Sequence, residues 1–300
     1  MTATSLDRVT IRRRISAYVA LTKPRIIELL LVTTVPAMIV AAEGWPGTRL
    51  VITTVLGGTL AAGGANATNM YIDRDIDRIM ERTKGRPLVT GEVQPTPALV
   101  FAISLQVIAF ALLWVEVNLL AASLALGAGL FYIFVYSLWL KRSSTSNIVI
   151  GGAAGSVPPV IGWAAVTNSI ELPAVVLFVL VFLWTPPHFW ALAMRYADDY
   201  SAADVPMLPS VASAETTTTK ILAYAVAVFV SALAFWPAAG LGPIYGVCAA
   251  VASGLFVLHA ARLRTDPTPK QAMRTFGFSI TMLTVAFAAM AVDELVRSGW

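Results

Sequence analysis

The stretch NATNMYIDRDIDRIMERTKGRPL, Asn66 to Leu88, decides the reading. It begins among small apolar residues and ends in dense charge: nine of the fourteen residues from Asp73 to Arg86 are charged. An Asp or Arg costs roughly 2.5–3.5 kcal/mol at a bilayer centre, so this segment caps a membrane helix and enters water. At about 100° per residue, with Asn69 at zero, Asp73 falls near 40°, Asn66 near 60° and Asp77 near 80°. Four oxygen-bearing side chains share one face, while Asp75 points roughly 240° around, away from them. The expected metal ligands are therefore Asn69, Asp73 and Asp77, without Asp75. Carboxylates stacked in this way repel one another, and a divalent cation between them relieves the repulsion. Hard oxygen donors suit Mg2+, which is commonly held by a few carboxylates together with the phosphate oxygens of a substrate. Arg82, Lys84 and Arg86 follow as candidate diphosphate contacts. A solvated loop of local ion pairs is the plainer alternative; the one-face clustering at a helix end favours a site.

The rest of the chain is membrane-like. Of its 300 residues 57% are hydrophobic and 13% charged, where a soluble domain carries about 25% charge. A span needs about 20 apolar residues. Nine stretches meet that pattern: 26–42, 50–69, 97–115, 118–139, 147–166, 172–194, 220–238, 243–261 and 275–295. The expected fold is all-α and integral to the membrane, with nine transmembrane helices around a central cavity. Residues 1–25 form a cytoplasmic N-terminal arm and 26–300 one polytopic domain.

Charge supports that count. In this topology all of the 21 Lys and Arg residues except Arg49 and Arg297 fall on one side. Cytoplasmic loops hold such an excess, so the N-terminus is expected inside. Arg12 to Arg14 read as part of a basic arm, and no cleavable signal is evident. The net charge of +4 is topological, since the basic residues are spread over loops at the membrane surface, and no nucleic-acid partner is expected. The single cysteine, Cys248, excludes an intrachain disulfide and a cysteine metal cluster. Two histidines, His188 and His259, argue against a histidine-rich metal site. Gly151, Gly152, Gly155, Pro158, Pro159 and Gly162 crowd the fifth span, where small residues allow close helix approach or line a substrate path.

A second constellation is TPPHFWALAMRYADDYSAADVPMLP, Thr185 to Pro209. In an unbroken helix Arg195 and Asp199 each lie about 20° from His188, on either side of it, and Asp198 about 80° away. Asp199 and its neighbour Asp198 are the second set of expected metal ligands, and Arg195 a further diphosphate contact. Two acidic helix ends suit two metals around one diphosphate. Lys141 and Arg142 join the diphosphate candidates, with a purely topological signal as the alternative. His188 is an intramembrane ionisable group, hence a functional candidate; a neutral histidine hydrogen-bonded between helices is the other reading.

At these residues the chain resembles the UbiA prenyltransferase superfamily and, within it, the branch that farnesylates haem. The superfamily's first aspartate motif, Asn-x3-Asp-x3-Asp, matches Asn69, Asp73 and Asp77, and its extension matches Arg82 to Leu88. The branch is carried by LTKPR at Leu21 to Arg25, LKR at Leu140 to Arg142, and NIVIGGAAGSVPPVIGW at Asn147 to Trp163. WTPPHFWALA at Trp184 to Ala193, Asp199-Tyr200 and VPMLP to Pro209 complete it. These matches span residues 21–209, about two thirds of the chain. The wider superfamily's second motif, Asp-x3-Asp, is incomplete: the fourth positions after Asp198 and Asp199 are Ala202 and Ala203.

The resemblance implies a UbiA-like helical fold in a bacterial plasma membrane and a Mg2+-dependent reaction. Farnesyl diphosphate would donate its farnesyl group to a vinyl group of haem b, with water added, giving haem O for terminal oxidases. His188 becomes the candidate haem contact, and Trp184, Phe189 and Trp190 candidates for lining the haem cavity. Other implied partners are the lipid bilayer and a downstream haem-modifying enzyme. Three rivals remain: a sister prenyltransferase acting on a quinone precursor or chlorophyllide, a secondary transporter, and a structural assembly subunit, for which Asp73→Ala would leave function intact. A transporter places its coupling acids near the midplane, whereas the acids here sit at helix ends.

Overall fold

In lipid every backbone polar group has to be satisfied within the chain, so an apolar run of spanning length becomes helix. The computed structural model describes residues 3–300, with side chains for residues 11–25, 27, 28 and 32–300. Met1, Thr2 and the Arg8 side chain of the expected arm lie outside that set. The helices are α1 (Ala3–Thr22), α2 (Pro24–Ala41), α3 (Thr48–Ile72), α4 (Arg74–Ile79) and α5 (Pro87–Thr90). Then come α6 (Pro95–Glu116), α7 (Leu119–Ser143), α8 (Asn147–Thr167) and α9 (Leu172–Arg195). The chain ends with α10 (Ala197–Ala202), α11 (Leu208–Val211), α12 (Ala214–Ala238), α13 (Pro243–Thr265) and α14 (Pro269–Ser298).

Among the described residues eight helices are long and apolar enough to cross a membrane: α3, α6, α7, α8, α9, α12, α13 and α14. They fall on the second to ninth expected spans. The first expected span falls on α2, a helix of 18 residues, of which Val32–Ala41 is the continuous apolar stretch described with its side chains.

Local sequence sets the helix ends. Pro24, Pro95, Pro243 and Pro269 stand where a helix has no use for the missing N–H. The side chains of Asn118, Ser213 and Thr268 accept hydrogen bonds from backbone N–H groups in the first turns of α7, α12 and α14. Between α12 and α13 the chain reverses at Gly240, whose φ of 61° suits glycine. Gly242 N–H there donates to the buried Asp293 carboxylate.

Packing closes the bundle. α3 lies along α6, α9 along α12, and α13 between α12 and α14, while α2 touches both α8 and α14. One core joins α2, α8, α9, α12, α13 and α14; a second gathers around α3, α6, α7 and α8. Gly152 lets α8 meet α9 at Thr185, since a Cβ there would sit 2.8 Å from Thr185 Cγ2. The outer face stays apolar: Ile103, Val107 and Trp114 on α6 and Val247, Val251 and Leu258 on α13 are exposed. On a helix bundle of this composition such faces meet lipid.

The expected arm is helical and docked. Ala17 and Leu21 are buried against Ala67 and Ala102, Tyr18 sits edge-on to Phe101 at 5.1 Å, and Arg13 pairs with Glu92 at 2.7 Å. An apolar cleft of about 340 Å3 opens between α7, α8 and α9, lined by Phe131, Ala154 and Phe178. None of the expected site residues lines it.

Candidate active site

The first aspartate constellation folds as its helical register requires. α3 ends at Ile72, yet Asp73 N–H donates to Asn69 O at 2.9 Å and Asp77 N–H to Asp73 O at 2.8 Å. Although the helix is interrupted at Asp73, these two i to i−4 bonds keep Asn69, Asp73 and Asp77 in helical register, and the shared face survives. Asn69, Asp73 and Asp77 are buried, with Asp73 wholly so. Asp75 faces outward, its side chain 61% exposed and clasped by Arg142 at 2.7 and 2.8 Å. That hydrogen-bonded pairing holds the Asp75 carboxyl well below the usual carboxylate range, against a smaller opposing effect of desolvation.

Each buried carboxylate meets a cation. Asp73 Oδ2 accepts from Lys141 Nζ at 2.5 Å and from Asn69 Nδ2 at 2.8 Å. Asp77 Oδ2 accepts from Arg86 at 2.6 Å. Arg86 is placed by a turn in which Thr83 Oγ1 donates to Asp77 O at 3.2 Å and Arg86 N–H to Thr83 O at 3.0 Å. Arg142, as well as clasping Asp75, lies 3.8 Å from Asp73 Oδ1. That oxygen is buried and has no hydrogen-bond partner.

Lys141 reaches Asp73 from the end of α7, where Phe131–Leu140 adopts a π-helix. The wider turn recurs at functional sites. Here Ser137 Oγ donates to the carbonyl of Tyr132, five residues back, at 2.9 Å, and accepts from Asn69 Nδ2 at 2.9 Å. Tyr132 and Tyr136 stack beneath, ring centroids 5.3 Å apart. A Cβ on Gly151 would collide with Tyr136, so the glycine lets α8 lie against this pair.

Lys23, Ser137, Tyr132 and Tyr200 are site residues that helical-face reasoning missed. Lys23 stands at the joint of α1 and α2 with a left-handed backbone, φ 54° and ψ 62°. Its Nζ donates to Asn69 Oδ1 at 2.7 Å. Burial, then Arg86 and Lys141, lower its pKa to about 7, while Asp73 and Asp77 oppose that. The signal was present in LTKPR, but a lysine in a basic arm reads first as topology. Asn66, on the same face of α3, donates to Thr22 O at 3.0 Å and ties this joint down.

The second constellation departs from its expected geometry. α9 stops at Arg195, and Tyr196, at φ −115° and ψ 25°, separates it from α10. His188, Arg195 and Asp199 therefore do not lie on one continuous helix. Arg195 and Asp198 are exposed, and Arg195 lies 6.0 Å from the Tyr196 ring centroid. Asp199 is half-buried and accepts the Arg82 backbone N–H at 3.2 Å. Tyr200 is buried beside Arg82 and Arg86; burial raises its phenol pKa and the two cations partly counter this. Lys84 pairs with Glu81 at the surface.

Among the described residues no group of three or more His, Cys, Asp or Glu could hold a metal. Asp199 is thus joined to the first constellation through Arg82 rather than by a shared carboxylate cage. The donor set at Asn69, Asp73 and Asp77 nonetheless fits Mg2+ chemically. It offers hard oxygens and one orphaned buried carboxylate oxygen, and such ions take their remaining ligands from water and phosphate.

Deeper in the bundle His188 is buried between the rings of Trp184 and Phe276, with centroids 4.2 and 4.5 Å away. Its Nδ1 is 2.7 Å from Ser279 Oγ, and Trp184 Nε1 donates to Ser279 O at 2.9 Å. This is a histidine hydrogen-bonded between helices, with Nε2 as the ring nitrogen left for any other contact. Trp184 and Trp190 are buried, whereas Phe189 is partly exposed.

A multi-pass helical bundle with paired buried aspartates and basic residues at one end is the architecture of a membrane prenyltransferase. The UbiA prenyltransferase family matches residues 30–288, and the chain belongs to it. Curated relatives named protoheme IX farnesyltransferase are similar over nearly their whole lengths. That of Frankia casuarinae is 52% identical, covering 93% of this chain and 98% of its own. That of Clavibacter michiganensis is 51% identical over 97% of each, and that of Pseudarthrobacter chlorophenolicus 50% identical over 95% and 91%. Among solved structures, a digeranylgeranylglyceryl phosphate synthase superposes with a TM-score of 0.78 at 17% identity, over 94% of this chain and 99% of that one. A UbiA homolog from Archaeoglobus fulgidus bound to GPP and Mg2+ does so at 0.64 and 17%, over 91% and 99%. These likenesses establish the fold.

Proposed function

We propose that this enzyme transfers the farnesyl group of farnesyl diphosphate to a vinyl group of haem b, with addition of water, to give haem O and diphosphate. The observation that carries the reading is about 50% identity, over nearly full length, to proteins named protoheme IX farnesyltransferase. The charged end of the bundle supports it chemically. The donor's tail belongs among apolar helices, where each buried methylene is worth about 0.8 kcal/mol, and its diphosphate at the wet end.

Asn69, Asp73 and Asp77 would hold Mg2+, which when bound neutralises charge on the diphosphate. Arg86 and Lys141 already lie on this face, and both can turn from carboxylate to phosphate oxygens. The bond between farnesyl C1 and the diphosphate oxygen breaks with its electron pair leaving on oxygen. The π electrons of the haem vinyl group form the new C–C bond. The cation left beside the porphyrin takes up the oxygen of water, which releases a proton. Apolar walls keep water from the first cation. We place haem b near His188 Nε2, and Asp199 with Arg82 at the rim of the diphosphate site. We further infer that the charged end faces the bacterial cytoplasm, as the Lys and Arg distribution favours.

The test is to incubate purified protein in lipid with farnesyl diphosphate, haem b and Mg2+ and to measure the mass of the haem product. A farnesylated, hydrated haem is expected. Unchanged haem alongside consumption of the diphosphate by a quinone precursor would shift the assignment to a sister prenyltransferase.

A further inference from the structure

Four cations reach the first aspartate face: Lys141 and, at 3.8 Å, Arg142 on Asp73, Arg86 on Asp77, and Lys23 on the neutral amide of Asn69. The first three each have a carboxylate partner, Arg142 through its clasp on Asp75 as well. Among the described residues no carboxylate lies within ion-pair reach of Lys23; Arg86 and Lys141 act on it electrostatically, and Asp73 and Asp77 oppose them from beyond ion-pair distance. A partly buried ammonium beside two other cations is unfavourable without an anion of its own.

Its backbone makes the same point. Lys23 is in the left-handed region, which a residue with a side chain adopts only when its surroundings impose it. They do so here: Asn66 holds the Thr22 carbonyl, Lys23 N–H donates to Ala20 O at 3.3 Å, and Pro24 starts α2. This joint turns the ammonium inward, against the metal-ligand face, rather than outward with the rest of the basic arm. The contact to Asn69 also has a fixed sense, because an ammonium only donates and a carboxylate only accepts. Lys23 therefore meets the amide oxygen while the amide nitrogen faces Asp73.

We propose that Lys23 binds the diphosphate of the prenyl donor directly, as the cation on this face without a carboxylate partner of its own. This rests on the reading that the charged end binds a prenyl diphosphate. Arg86 and Lys141 give up a carboxylate when they turn to phosphate; Lys23 gives up only an amide hydrogen bond. It is thus the cation most readily committed to the substrate. Its place at the α1–α2 joint links donor binding to the docking of α1.

The experiment uses the full-length protein in lipid nanodiscs and measures binding of farnesyl diphosphate and of farnesol, which has the tail without the charge. Lys23→Met, Lys23→Arg and, as a control on the exposed face of α1, Arg13→Ala are compared with the wild type. Lys23→Met is expected to weaken farnesyl diphosphate binding about tenfold or more. Farnesol binding should stay unchanged, KM should rise more than kcat falls, and Lys23→Arg should restore most of the loss. Arg13→Ala should bind as wild type. Wild-type diphosphate affinity in Lys23→Met would overturn the proposal, as would equal loss of farnesol binding, which would mark Lys23 as structural. A fall in kcat alone, with affinity intact, would overturn it in favour of orienting Asn69. Failure of wild-type protein to bind farnesyl diphosphate would overturn the underlying reading as well.

Discussion

Asp73→Asn removes one charge and almost no volume, and so isolates the electrostatics of the site. In the folded protein the Asp73 side chain is 0% exposed and that of its partner Lys141 12%. Removing one member of a buried pair costs about 3–5 kcal/mol, because the other charge is stranded. Part of that falls on the fold, and a melting curve reads it. The part that falls on the reaction is loss of a group organised around developing charge, worth about 10²–10³ in kcat. Asp75→Asn is the matched control two residues away. Its carboxylate is 61% exposed, and an exposed pair contributes about 0–1 kcal/mol, so activity should stay within about fivefold of wild type. The assay is farnesylated haem formed per minute, by mass, on protein whose melting temperature has been recorded. A folded Asp73→Asn enzyme of near wild-type rate, or Asp75→Asn as the more damaging change, would refute the face assignment.

Arg86→Gln leaves Asp77 buried without its 2.6 Å partner and takes a bidentate donor from the site. KM for farnesyl diphosphate should rise about tenfold or more, measured by initial rates over a donor titration. Ser137→Ala removes the hydroxyl that accepts from Asn69; a loss of about 1 kcal/mol of organisation, roughly fivefold in kcat, is expected from the same rates. Gly152→Val drives a branched side chain into Thr185 and should destabilise the protein by about 1–3 kcal/mol, read as a lowered melting temperature. Exhaustive chelation should abolish product formation, and added Mg2+ should restore it.

Much of this was legible in the sequence because bilayer physics leaves few choices. Long apolar runs had to be helices, and the ends of α8 and α9 fall within a residue of the expected spans. Helical periodicity separated Asp73 and Asp77 from Asp75 because the i to i−4 bonds from Asp73 to Asn69 and from Asp77 to Asp73 keep the register across the interruption at Asp73. The same reasoning failed beyond Arg195, since nothing in RYADDY marks Tyr196 as a break. Arg195 and Asp198 consequently face outward rather than into the site. The π-turn that aims Ser137 and Lys141 at Asn69 and Asp73 has no sequence signature within FYIFVYSLWL. Lys23 was hidden for another reason: a basic residue before a span serves topology, and only the left-handed joint shows it turned inward. The glycines of the fifth span were legible as packing residues, and Gly151 and Gly152 act as such.

The central claim is that the buried face of Asn69, Asp73 and Asp77 grips a diphosphate through a divalent cation. Farnesyl diphosphate affinity of the wild type and of Asp73→Asn, each titrated with and without Mg2+, tests it most directly. Wild-type affinity should depend strongly on Mg2+, and the substitution should abolish that dependence. Equal affinity with and without the ion in the wild type, or Mg2+ dependence retained in Asp73→Asn, would contradict it.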